Sequence, residues 1–134
     1  MTPDEIKALQ ANFARVYPVK HSVAKCFYDK LFDLAPEVRD LFPEDMRAQR
    51  EKLADTLAFI VKHLNQPDKL ELAVASMARR HVGYGAVSVH LPVVGAALLY
   101  ALEEQSAGKM TRKEHDAWAK AYQNISDLMV AELP

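Results

Sequence analysis

A histidine that ends an apolar helical stripe and is followed at once by glycines constrains this chain more than any other feature. The stretch is MARRHVGYGAVSVHLP, from Met77 to Pro92. The apolar run before it holds Leu70, Leu72, Ala73, Val74 and Met77. Steps of three and four through Leu70, Ala73, Val74 and Met77 carry His81 onto the buried stripe of a helix. Gly83 and Gly85 then close that helix, and Pro92 opens another. Two readings are open for such a histidine. It is a candidate ligand, or a core imidazole satisfied by a backbone carbonyl.

The same helical spacing recurs along the whole chain, and no alternating strand-like run of useful length interrupts it. Thr2 and Glu5 form a capping-box signature around Pro3, and Ile6, Leu9, Phe13 and Val16 continue as a stripe. A second helix is predicted from Val19 to Leu34, with Val23, Cys26, Phe27, Leu31 and Leu34 or its neighbours inward and Tyr28 beside that face. Ala35 to Phe42 predicts a short helix and a corner, because Pro43 disfavours helical backbone at Phe42. From Met46 to Leu64 the inner face reads Gln49, Leu53, Leu57, Ile60 and Leu64. The helix after Pro92 is apolar over more than half its circumference and is therefore predicted to be central. Thr111 with Glu114 repeats the capping box before a helix lined by Trp118, Tyr122, Ile125, Leu128 and Met129.

The prediction is an all-α fold of about six to eight helices. At 134 residues it is one domain, 1–134, with an ordinary soluble balance of 50% hydrophobic and 26% charged residues. The net charge of -1 gives no overall field for nucleic acid or an anionic membrane. Cys26 is the only cysteine, so neither an intramolecular disulfide nor a cysteine zinc site is available, and a reducing compartment fits. The N-terminus is acidic where a secretory signal is basic and then apolar, so a soluble cytoplasmic protein is expected, with no membrane partner.

The residue types exclude several chemistries. No serine sits in a glycine-flanked nucleophile elbow. The glycines follow a helix and not a strand, so they do not form a phosphate cradle. His21, His63, His81, His90 and His115 are scattered, with no HExxH pair. A metal held by a single histidine needs another scaffold for its remaining ligands, and a porphyrin is one. Two polar or aromatic residues also sit oddly for a plain bundle. Phe42 lies at a non-helical corner, and Gln49 heads an otherwise apolar stripe.

FYDKLFDLAPEVRDLF, Gln49 with Leu53, ARRHVGYG, HLPVVGAALLYAL and AWAKAY occur in one order along the chain. Together they resemble the single-domain bacterial globins related to the haem domain of flavohaemoglobins, over essentially the whole sequence. The resemblance implies the globin fold enclosing haem b, with iron ligated by His81. It matches Phe42 to the corner phenylalanine that stacks on the porphyrin, Tyr28 to the distal tyrosine, and Gln49 and Leu53 to the distal positions facing bound ligand. Leu53, Leu57, Val94, Leu98, Ile125 and Met129 become expected pocket wall, and Lys52, Arg80 and His90 candidate partners of the haem propionates. Trp118 and Tyr122 look like the family's late-helix aromatics and are read as packing. No side chain is assigned a catalytic role.

Two departures from that family shape the expected function. Flavohaemoglobin-like domains commonly brace the proximal histidine with a tyrosine and a glutamate, which raises its basicity. Leu91 and Leu133 stand at the corresponding places. Glu132 is one residue away, a rotation of about 100 degrees on a helix, and Tyr84 is the one nearby phenol. In addition, no flavin or nicotinamide reductase sequence follows Pro134. Reversible binding of dioxygen, for transport or storage, is therefore the leading expectation, with nitric oxide and carbon monoxide as further ligands. Nitric oxide dioxygenase activity with a separate reductase is the alternative, and gas sensing is third.

Overall fold

The computed structural model describes residues 1–134 as six α-helices, with no strand. They are α1 (Pro3–Val16), α2 (Lys20–Leu34), α3 (Arg47–Lys62), α4 (Pro67–Gly83), α5 (Leu91–Gln105) and α6 (Arg112–Val130). Short 3-10 turns at Tyr17–Val19, Pro36–Leu41 and Ser88–His90 make the corners. Both capping boxes form: Thr2 and Glu5 exchange their hydrogen bonds at the start of α1, as do Thr111 and Glu114 at the start of α6. No single helix is long and apolar enough to cross a membrane.

α2 packs between α5 and α3, while α6 lies against α1, α4 and α5. Leu9, Val16, Val23, Val74 and Leu102 are fully buried where these faces meet. At the end of α2 the chain buries Leu31 and Ala35, while Leu34, the last residue of the helix, is exposed. Leu72, which lies off the Leu70, Val74 and Met77 stripe, is exposed roughly 200 degrees around the helix from Leu70.

A polar junction ties the ends of the chain together. Asn12 is fully buried on α1; its amide donates to Ser106 Oγ at 2.9 Å, and its Oδ1 accepts from Trp118 Nε1 at 2.9 Å. Every group in it is satisfied, since the Ser106 hydroxyl donates in turn to the Leu102 carbonyl. Beside it Arg15 makes a two-pronged ion pair with the buried Glu114 carboxylate. That arginine holds the Glu114 pKa below its ordinary 4.5. A lowered folded-state pKa stabilises the protein above the unfolded value, and the contribution fades as pH falls through the folded one. Glu114→Gln should therefore flatten the loss of stability on acidification below pH 4.5. With the Arg15 side chain 41% exposed, the cost at neutral pH should be about 1 kcal/mol, read from urea unfolding.

α5 and α6 touch so closely at one point that only glycine fits. A Cβ on Gly95 would stand 2.6 Å from Tyr122 Cε2. Gly95→Ala is expected to force the tyrosine ring aside and lower stability by about 1 to 3 kcal/mol, visible as a fall in Tm.

Candidate functional site

α2 to α6 and the corner before α3 enclose a cavity of about 320 Å³, lined by 28 residues of which 22 are hydrophobic. It is the size of a small-molecule site, with few polar groups against an apolar wall. Tyr28 enters it from α2, where a phase of one stripe residue per turn buries Val23, Phe27 and Leu31 around it. Its ring stands against Phe27, Phe32 and Phe42 at centroid distances of 4.8, 5.9 and 5.5 Å. Gln49, in the first turn of α3, donates from Nε2 to the Tyr28 hydroxyl at 3.2 Å. The phenol accepts that bond and has no protein acceptor for its own proton, which leaves one donor free inside the cavity. Burial pushes the Tyr28 phenol up, with the Gln49 amide opposing it, so the donor stays protonated.

Phe42 is extended (φ -118, ψ 154) at the end of the Pro36–Leu41 turn, where Pro43 follows. Arg39 fixes that corner. Its guanidinium donates to the carbonyls of Phe42, Pro43 and Glu44 at 3.3, 3.0 and 3.2 Å, and it lies 5.0 Å from the Phe32 ring. Sequence reasoning missed this residue, because a surface arginine three residues before an aromatic carries no distinguishing pattern.

His81, half-buried near the end of α4, reaches the same cavity. Its Nδ1 lies 2.8 Å from the Met77 carbonyl, an acceptor only, so Nδ1 carries the hydrogen. Nε2 has no protein partner and keeps its lone pair, the form in which imidazole ligates a metal. The two readings left open by the sequence thus divide between the two nitrogens. Gly85 then turns the chain at φ +87, a left-handed conformation suited to glycine, with Leu41 against it.

Leu53, Leu57, Val94, Leu98, Ile125 and Met129 all line the cavity, and Lys52 and His90 stand on its wall as well. Arg80 does not. It is exposed, and its guanidinium donates to Ser76 Oγ at 3.0 Å. Trp118 and Tyr122, read as packing, are part of the wall too. The Tyr122 hydroxyl donates to the Leu91 carbonyl at 2.6 Å, which pins the start of α5 to α6, and burial pushes its phenol up to about 12. Leu91 and Leu133 are both buried on the wall, whereas Glu132 is exposed. The imidazole is held by a neutral carbonyl and faces no carboxylate partner.

An apolar slot, a ring nitrogen with a free lone pair on one element and a phenol with a free proton on another suit a flat apolar macrocycle that carries a metal. The donor set fits haem.

Comparison with known proteins agrees with this geometry. The globin family model matches residues 25–129. The flavohemoprotein of Bordetella pertussis is 30% identical over 97% of this chain, and that of Deinococcus radiodurans 27% over 97%. The chain spans about a third (33%) of the length of these relatives. Among solved structures, a bacterial globin of Campylobacter jejuni superposes with a TM-score of 0.85 at 23% identity, covering 97% of this chain and 94% of the other. A candidate nitric oxide dioxygenase from Rhodothermus marinus, in a form engineered as a carbene transferase, gives 0.87 at 25%, covering 98% and 92%. Matched over most of its length by one family model and sharing the six-helix architecture, the chain belongs to the globin family, which implies haem, with iron as its centre.

Proposed function

We propose that the chain binds haem b through His81 Nε2 and takes up dioxygen reversibly on the side of the cavity that carries Tyr28 and Gln49. The observation that carries the reading is the Tyr28 hydroxyl, which receives the Gln49 amide at 3.2 Å and is left with a free proton inside an apolar cavity that His81 also reaches. When bound, haem supplies an iron centre that exchanges charge with a diatomic gas. Tyr28 then donates to the ligand as it gains negative charge. Gln49 holds the phenol oxygen and so directs that donor. Phe27, Phe32 and Phe42 keep water from the phenol, which strengthens the bond. Of the cavity's residues, Phe42, Leu53, Leu57, Val94 and Leu98 would hold the macrocycle through apolar contact, and Lys52 and His90 would meet its carboxylates. Arg80, which lies outside the wall, is left out of that role. The reading includes a cytoplasmic setting, which the single cysteine supports.

Binding is preferred to turnover because His81 is braced by the neutral Met77 carbonyl while Leu91 and Leu133 occupy the wall. A proximal imidazole without a carboxylate partner is less basic and gives less support to oxygen activation. The second reading, conversion of nitric oxide and dioxygen to nitrate with a separate reductase, draws on the likeness to the Rhodothermus protein. The two part in one assay. The reduced protein, given oxygen and then nitric oxide, should consume nitric oxide stoichiometrically. Sustained consumption on adding a flavin reductase and a nicotinamide would favour the enzyme instead.

A further inference from the structure

Arginines elsewhere in this chain pair with carboxylates: Arg15 with Glu114, Arg47 with Asp45 and Arg112 with Asp116. Arg39 is spent differently. Its Nη1 donates to the carbonyls of Phe42 and Pro43 and its Nη2 to that of Glu44, so one planar fork spans three successive peptide groups. The same guanidinium lies over the Phe32 ring, 5.0 Å from its centroid.

The segment it holds has little else to hold it. Pro43 has no N–H, the N–H groups of Glu44 and Asp45 enter no backbone hydrogen bond, and the three carbonyls accept from Arg39 alone. Asp45 is tied forward, accepting from the Arg47 N–H at 3.0 Å at the start of α3. Backward, only the Phe42 N–H reaches the Arg39 carbonyl, at 3.1 Å. Pro43 is exposed and also lines the cavity, so at this point one residue separates the cavity from solvent.

This corner carries the surroundings of the Tyr28 phenol. Phe32 and Phe42 flank the Tyr28 ring at 5.9 and 5.5 Å and stand 5.4 Å from each other. Arg39 grips the first by its face and the second by its carbonyl. We propose that Arg39 is a positioning residue for dioxygen binding, which touches no ligand and acts by holding Phe32 and Phe42 so that the Tyr28 donor keeps one direction. The inference rests on the proposed function, in which that phenol donates to the bound gas. A lysine would keep the charge but has neither the fork nor the flat face, so charge alone does not replace it.

The test measures dioxygen release by stopped flow, and the C–O stretch of the carbon monoxide-loaded protein, in Arg39→Met and Arg39→Lys, each with and without Tyr28→Phe. Arg39→Met should release dioxygen about 2- to 10-fold faster, the worth of one ordinary hydrogen bond, and in two phases. Its C–O stretch should gain a second band at the higher frequency that Tyr28→Phe shows by itself, because a hydrogen-bond donor at the ligand lowers that frequency. Arg39→Lys should follow Arg39→Met, and carries the test if the methionine variant does not fold. With Tyr28→Phe already present, either change should add less than about twofold, since no donor is left to aim. Unchanged release and a single C–O band in the Arg39 variants overturn the assignment. Equal acceleration with and without the phenol overturns it as well, for that is a general loosening of the pocket, and so does wild-type behaviour in Arg39→Lys. A chain with no Soret band, or release from Tyr28→Phe at the wild-type rate, contradicts the proposed function itself and this inference with it, before Arg39 is changed.

Discussion

His81→Ala should emerge without a Soret band while keeping its helical circular dichroism. The fold commits the His81 Nδ1 to the Met77 carbonyl at 2.8 Å and leaves Nε2 without a protein partner. Losing an outer partner of a metal ligand typically costs 10–100-fold in affinity, so losing the ligand itself should exceed about 100-fold. The substitution removes a half-buried ring from a cavity wall and leaves α4 intact, so the loss reports on ligation and not on unfolding. Free imidazole added to the variant should restore part of the band by entering the space the ring vacates. Unchanged haem affinity in His81→Ala would remove His81 from the site.

Tyr28→Phe should speed dioxygen release by about one to two decades, the equivalent of roughly 1.5 to 3 kcal/mol for a hydrogen bond to a charged acceptor. The variant keeps the ring and its contacts with Phe27, Phe32 and Phe42, so the pocket's shape is preserved and only the donor is lost. Gln49→Leu should give a smaller increase, because the amide acts by holding the phenol oxygen. The double variant should be little faster than Tyr28→Phe alone, the non-additivity expected of residues in one network. Stopped-flow release from the reduced, oxygen-loaded protein measures all three, and an unchanged rate in Tyr28→Phe would exclude the phenol from the ligand's surroundings.

The parts of this structure readable in the sequence are those governed by neighbours three or four residues apart. The two Thr-Glu capping boxes, the Phe42 corner before Pro43 and the His81 stripe are all of that kind. At the end of α2 the same rule leaves a choice between Leu34 and its neighbours, and the helix end decides for Ala35; Leu72, off the stripe by phase, is exposed. The polar junction was illegible for another reason. Asn12 finds Ser106 and Trp118 at separations of 94 and 106 residues, and nothing local marks a buried asparagine within an apolar stripe. Tyr122 was legible as an aromatic on the last helix, but its bond to the Leu91 carbonyl and its fit over Gly95 depend on how closely α5 and α6 approach. Lys52, His90 and Arg80 looked alike in sequence, and only the third dimension separates the two on the cavity wall from the one bonded to Ser76.

The cavity's role is tested most directly by the ratio of haem to protein in the purified chain, taken from the pyridine haemochrome spectrum together with the Soret band. Equal molar amounts of b-type haem and protein are predicted, with haemin restoring that ratio after extraction. A colourless chain on which haemin produces no saturable Soret band would contradict the account.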